Sequence, residues 1–504
     1  MTDNTQQFHD LEFKSDAQVD AICSAVADSP LYNDDLAPAG PRKRTWNTWH
    51  ILAMWLGMSV VLTTYTLASG LMAAGMNWWQ ALTTVGIANF IVLIPMLLNA
   101  HVGVRYGIPF PVFVRSSFGT IGANFPALAR AIVACGWFGI QTWLGGLAVS
   151  GIAAVLWPGW SELPGHTFIA FFIFWVLQMA IIFRGMEGIK KFESWAALAL
   201  ILVGVWLLYW GVSAGHGLDN VLRTSARMMG TPEHSFWEMF WPALAANVGY
   251  WATLSLNIPD FTRFARSQRS QIIGQTIGLP LTMIAYSFLG IVTTAATVVV
   301  FDKPVWNPVD LIPMITHNPV ILIIAMVLII IAQISTNMAA NVVAPSNDFS
   351  NVAPRFISFR TGGLITGVIG VLMCPWAIFN SASAYIFTWL GGYGSLLGAI
   401  AGVMIADYWI VRRRRLDIAD LYRLDGQYPR WNWIAFVAIA IAIVPVIPGF
   451  IAAATTPGGI VSNPGVVDRL YTYGWFFTFF VALVVHWALS VAMGKSRATA
   501  VSQP

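Results

Sequence analysis

Long apolar blocks fill most of the chain, and short stretches rich in charge, proline and glycine separate them. Breaking the sequence at those stretches predicts twelve helical spans, near 49–75, 79–101, 123–156, 167–185, 190–213, 236–258, 272–300, 319–344, 361–379, 383–410, 431–454 and 470–494. Each is long enough to cross a hydrocarbon core of roughly 30 Å as a helix. The blocks lack the alternation of barrel strands, and backbone in lipid must satisfy its hydrogen bonds within its own segment, so helices are the required form. The pattern predicts an all-α polytopic membrane protein of about twelve transmembrane helices over 46–494. A flexible polar segment at 1–45 precedes this domain and a short tail at 495–504 follows it.

Composition strengthens that picture. Of 504 residues, 57% are hydrophobic and 10% charged, with a mean hydropathy of +0.67, so most of the surface must face lipid. The net charge of +4 does not imply a nucleic-acid partner, because the basic residues sit in short loops where they set topology. If Arg42, Lys43 and Arg44 lie inside, every lysine and arginine of the 27 lies inside except Arg223, Arg227, Lys303 and Arg469. An even number of spans with both termini cytoplasmic follows, in a plasma or inner membrane. The first 45 residues hold no signal-peptide core, so the first span itself must target the chain.

Arg412 to Arg415 read as a topology anchor beside lipid headgroups. The proline-broken stretch from Gly107 to Gly119, carrying Arg115, is expected to pack on the inner face, and Trp157 to His166 to form an outer turn. Cys23, Cys135 and Cys374 are too scattered for a disulfide framework or a zinc motif and read as free thiols.

Polar side chains inside a membrane are costly unless paired or functional, which directs attention to the few at mid-span. Span 3 reads Trp137-Phe138-Gly139-Ile140-Gln141, placing an indole and an amide four residues apart on one face. Span 6 reads Asn247-Val248-Gly249-Tyr250-Trp251. Span 8 carries Gln333, Ser335, Thr336, Asn337 and Asn341, the most polar mid-span stretch. Taken singly, each tryptophan could be an interfacial belt residue and each hydroxyl or amide glue between helices. Together they suit a planar heterocycle: Gln141 and Asn341 each offer a donor and an acceptor to an alternating N–H and C=O edge, and indole faces can stack on a ring.

Gly57 in span 1 and Gly249 in span 6 point either to discontinuous helices of a transporter or to close helix packing. Glu193, Glu238, Asp260, Asp348 and Asp407 all fall at or near helix ends. Without a carboxylate at mid-depth, a metal cation held by Ser335, Thr336 and backbone carbonyls is favoured over a proton, and Na⁺ is a hard ion suited to oxygen ligands. The chain has no Walker-type phosphate loop, and His50, His101, His166 and His486 are scattered, so neither an ATP-driven pump nor a membrane enzyme is expected. A channel or a substrate-sensing receptor is the remaining rival.

At these clusters the sequence resembles the nucleobase:cation symporter-1 family of uracil, allantoin and hydantoin permeases. The stretches Trp137 to Trp143, Leu256 to Arg263 and Ser335 to Asn341 carry the resemblance, which runs from Arg44 to about Arg430. It implies a leucine-transporter-type fold, with inverted repeats at 46–215 and 235–410 and two peripheral helices at 430–494. It also implies that Trp137 and Trp251 sandwich the substrate, that Gln141 and Asn341 bond its edge, and that Tyr250 stands in the pocket where the hydantoin carrier has glycine. A sodium site would comprise the carbonyls of Gly57, Val60 and Ala332 with the Ser335 and Thr336 hydroxyls, although some relatives use protons. The stretches Asn341 to Pro345 and Phe387 to Tyr393 resemble uracil-type members, which ranks uracil or a related pyrimidine first and allantoin or hydantoin second. No cofactor is implied beyond the coupling ion. The partners are the heterocycle, the cation and the bilayer, with the chain a monomer or an oligomer of unspecified order.

Overall fold

The computed structural model describes residues 11–184, 186–228, 235–353, 356–457, 459–461 and 464–494, the side chains of 186–197, 339 and 359 excepted. The expected tail at 495–504, the first ten residues of the N-terminal segment and the Glu193 side chain lie outside the described residues. Among these residues the fold is all-helical, with one isolated bridge between Trp46 and Ala265.

Helices occupy all twelve expected positions. In order they are Thr48–Ser59 with Leu62–Ala73, Trp78–Tyr106, Asn124–Leu156, His166–Phe183, Met186–Ala214, and Phe236–Tyr250 with Ala252–Asn257 and Pro259–Thr262. Then come Gln268–Phe301, Pro319–Asn341 with Val343–Val352, Phe359–Leu372, Ala384–Val411, Trp433–Thr455 and Gly474–Ala492. Span 5 turns through 80° into Leu218–Met228, which packs on span 7.

Short polar residues set where several spans begin. Asn47, Asn77 and Ser235 each accept from a backbone N–H three residues on, and the side chains of His50, Gln80 and Glu238 reach back to close the capping box. Each such cap contributes about 1 kcal/mol. Span 3 packs on spans 4, 8 and 9, span 7 on spans 1, 2 and 5, and span 6 on spans 2 and 10. Spans 11 and 12 pack on span 10.

One end of the bundle is basic, carrying Arg105, Arg115, Arg263 and Arg412 to Arg415. There the helix Phe110–Phe118 is buried along its whole length, as expected for a segment folded against the bundle. Residues 11–45 differ from the expected flexible arm. They form the capped helix Asp16–Val26 and then run across the basic end. Arg115 donates to the carbonyls of Leu31 and Leu421, Arg263 to that of Asp35, and Tyr422 to that of Leu36 at 2.7 Å. Leu11, Val19, Val26 and Leu36 are buried, which explains why this polar stretch stays attached. Burial lowers the pKa of Arg115 and Arg44, yet a guanidinium stays charged at neutral pH, so the end remains cationic.

Two ion pairs, one buried and one half-buried, fasten the same end. Arg130 of span 3 meets Asp348 at 3.3 Å, and Arg412 meets Asp407 at 2.7 Å, with His486 of span 12 at 3.6 Å from the same carboxylate. These acidic residues are therefore structural partners close to helix ends, consistent with their sequence positions.

Candidate functional site

Spans 1 and 6 are both interrupted, but not at their glycines. Span 1 breaks at Val60 and Val61, where the two halves bend by 56°, and span 6 breaks at Trp251. Gly249 is instead a packing residue: a Cβ there would lie 2.7 Å from the Leu390 carbonyl oxygen and 3.3 Å from Gly394 Cα of span 10. Gly57 lies in the last turn before the first break, with open space where its Cβ would be. At that break the Val60 N–H bonds the Leu56 carbonyl and the Val61 N–H bonds the Ser59 carbonyl. Among the described residues this leaves the Gly57 and Val60 carbonyls without a backbone donor.

The broken segments meet spans 3, 8 and 10 in a buried cluster. Trp137, Gln141, Tyr250, Trp251 and Asn341 are each at most 6% exposed, so a ligand held here would be out of water. Tyr250 touches both indoles edge-on, with ring centroids 5.2 Å from Trp137 and 5.0 Å from Trp251. Its hydroxyl lies 3.0 Å from the hydroxyls of both Thr63 and Thr64, in the second half of span 1. Trp251 also meets Trp55 of the first half, at 5.2 Å. The phenol therefore stands against both tryptophans expected to hold a ring.

The amides divide into bonded and unbonded groups. Asn337 donates to Gln178 Oε1 at 2.8 Å, to the Phe138 carbonyl at 3.1 Å and to Thr142 Oγ1 at 3.3 Å, tying span 8 to spans 3 and 4. Asn341 joins this chain by donating to Asn337 Oδ1 at 2.9 Å, and Gln333 donates to the Gln141 carbonyl at 3.2 Å. Among the described residues, buried atoms without partners on these spans include the acceptors Gln141 Oε1, Gln333 Oε1 and Asn247 Oδ1 and the donors Trp55 Nε1, Trp251 Nε1 and Trp389 Nε1. An unmet buried polar group costs about 1–3 kcal/mol, so a ligand presenting complementary N–H and C=O groups would relieve that cost.

Span 8 touches the first half of span 1, bringing together the elements that carry Gly57, Val60, Ala332, Ser335 and Thr336. The Ser335 and Thr336 hydroxyls, in a buried stretch, make no hydrogen bond among the described residues, and Ala332 is fully buried. These hydroxyls and the freed carbonyls are oxygens of the type that hard cations take.

Several contributors escaped the sequence reading. Trp137 Nε1 donates to Tyr393 Oη at 3.2 Å, and Tyr385 packs 6.0 Å from Trp137, both from span 10. Span 10 is widened to a π-helical turn over Ala384–Leu390, a local irregularity common at functional sites. The spacing of Tyr385, Trp389 and Tyr393 by four was a readable signal of one aromatic face. Thr63 and Thr64 gave no such signal, since threonine pairs are ordinary in membrane helices.

Comparison with known proteins gives this geometry its context. The family model described as "Permease for cytosine/purines, uracil, thiamine, allantoin" matches residues 38–492. A purine-uracil permease of Arabidopsis thaliana is 41% identical over 488 residues, covering 94% of this chain and 80% of its own length. An allantoin permease of Bacillus subtilis (strain 168) is 37% identical over 486 residues, covering 92% and 95%. The inward-facing conformation of Mhp1 superposes with a TM-score of 0.75 at 26% identity, covering 93% of this chain and 95% of that one. Mhp1 in a closed conformation with bromovinylhydantoin bound, described as a nucleobase-cation-symport-1 family transporter, gives 0.72 at 25% identity, covering 93% and 99%. A match across nearly the whole chain, on a fold with two interrupted spans around a buried polar and aromatic site, makes this protein a membrane transporter that belongs to the nucleobase:cation symporter-1 family.

Proposed function

We propose that the protein imports a small planar heterocycle, a uracil-like pyrimidine first, together with Na⁺ by alternating access. The observation that carries this reading is the pair of buried, unpartnered atoms Gln141 Oε1, one helical turn from Trp137, and Trp251 Nε1, on an indole that packs against Tyr250 as Trp137 does. A cyclic imide or ureide offers an N–H to the first, a C=O to the second and a flat face to the ring. Tyr250 favours a compact ring, because the phenol fills space that a glycine would leave to a substituent.

The sodium part rests on the oxygen set between spans 1 and 8. The carboxylates add support, since Asp348 and Asp407 are engaged in ion pairs and Asp260 accepts from the Phe110 N–H at 2.7 Å. With the basic end placed in the cytoplasm by the excess of arginine there, both termini are cytoplasmic. An allantoin or hydantoin substrate is the second reading, favoured by the 37% identity to an allantoin permease.

A thermal-shift panel of uracil, cytosine, allantoin, hydantoin and purines, each with NaCl or choline chloride, separates these readings. The expected result is the largest shift with uracil in sodium. A larger shift with allantoin would transfer the assignment, and equal shifts in the two salts would sink the sodium part.

A further inference from the structure

The two helix breaks are joined by one polar contact. Tyr250 is the last residue of the first half of span 6, directly before the break at Trp251. Its hydroxyl sits 3.0 Å from both Thr63 Oγ1 and Thr64 Oγ1, which lie three and four residues past Val60 in span 1. All three side chains are at most 5% exposed, so the clasp is out of water. A buried hydrogen bond of this kind is costly to leave unmade: breaking it would strand the Tyr250 and Thr63 hydroxyls and leave Thr64 Oγ1 only the weak acceptor Met283 Sδ at 3.7 Å.

We propose that the Tyr250 hydroxyl is the positioning group through which the coupling ion and the heterocycle sense one another. This rests on the sodium-coupled reading above. A cation drawing on the Gly57 and Val60 carbonyls fixes the geometry of the span 1 break, and with it the position at which Thr63 and Thr64 enter the second half. The clasp carries that position to Tyr250, whose ring touches Trp137 and whose neighbour in sequence is Trp251. The ion thus orders the aromatic walls of the heterocycle site without touching the heterocycle. Linkage requires the converse, that the heterocycle tightens the ion by the same factor. A second contact between the breaks, the edge-on pair of Trp55 and Trp251, is apolar and joins the other half of span 1, so it does not duplicate the clasp.

The test is isothermal titration of full-length purified protein with uracil and with allantoin, each in NaCl and in choline chloride. Wild type, Tyr250→Phe and the double variant Thr63→Val with Thr64→Val are compared. Phenylalanine keeps the ring contacts and valine keeps the shape of threonine, so the aromatic walls persist while the clasp is lost from either side. Sodium should tighten the ligand about fivefold or more in wild type and less than about twofold in both variants. A residue with a purely packing role would alter affinity in both salts equally and leave the ratio unchanged. Sodium-dependent wild type with the same ratio in both variants would overturn the clasp and leave the sodium reading standing. A wild-type ratio of one would overturn both.

Discussion

Gln141 presents a buried carbonyl oxygen without a donor, whereas Asn341 commits its amide nitrogen to Asn337. The two amides should therefore answer differently to truncation. Gln141→Leu removes an unmet acceptor, so the melting temperature of the detergent-solubilised protein should hold or rise. Ligand affinity should fall about tenfold, the value of one lost hydrogen bond. Asn341→Ala should lower both, because Asn337 Oδ1 then loses its donor within a network linking spans 3, 4 and 8. Unchanged affinity in Gln141→Leu would remove that residue from the site. Polar residues this deep were legible in the sequence because so few interrupt apolar spans. Their pairing was not, since which amide is left unpartnered depends on Gln178 and Thr142, distant in sequence from span 8.

Helix existence and order were legible to within a few residues for most spans, because lipid imposes length and apolarity together. The position of the breaks was not. Glycine marks both conformational freedom and close packing, and here Gly249 packs while Val60 and Trp251 break their helices. A paired substitution separates the two roles. Gly249→Ala forces a Cβ to 2.7 Å from the Leu390 carbonyl oxygen, an overpacking that should cost about 1–3 kcal/mol and lower the melting temperature. Gly57→Ala meets nothing within 4 Å and should leave the melting temperature unchanged or raised. Equal behaviour of the two variants would contradict the packing of span 6 against span 10.

Across the whole molecule, the N-terminal segment was the least legible part. Its low hydropathy suggested a loose arm, while Leu11, Val19, Val26 and Leu36 are too widely spaced to show as a buried face until the basic end supplies the surface. Orientation can be tested with a thiol in the turn between spans 3 and 4. Ser161 is exposed there, whereas the native Cys374 is flanked by Met373 and Pro375, which lie against Gly136 and Gly139 midway along span 3. With the three native cysteines replaced by serine, Ser161→Cys should be labelled by a membrane-impermeant maleimide on intact cells. Labelling only after the cells are opened would reverse the topology.

The central claim concerns coupled movement rather than binding. Purified protein in proteoliposomes, given an inward Na⁺ gradient and labelled uracil, should show saturable uptake above equilibrium that collapses when choline replaces sodium. Uptake that never saturates or never exceeds equilibrium would contradict a symporter, and concentrative uptake indifferent to sodium would contradict the ion assigned to spans 1 and 8.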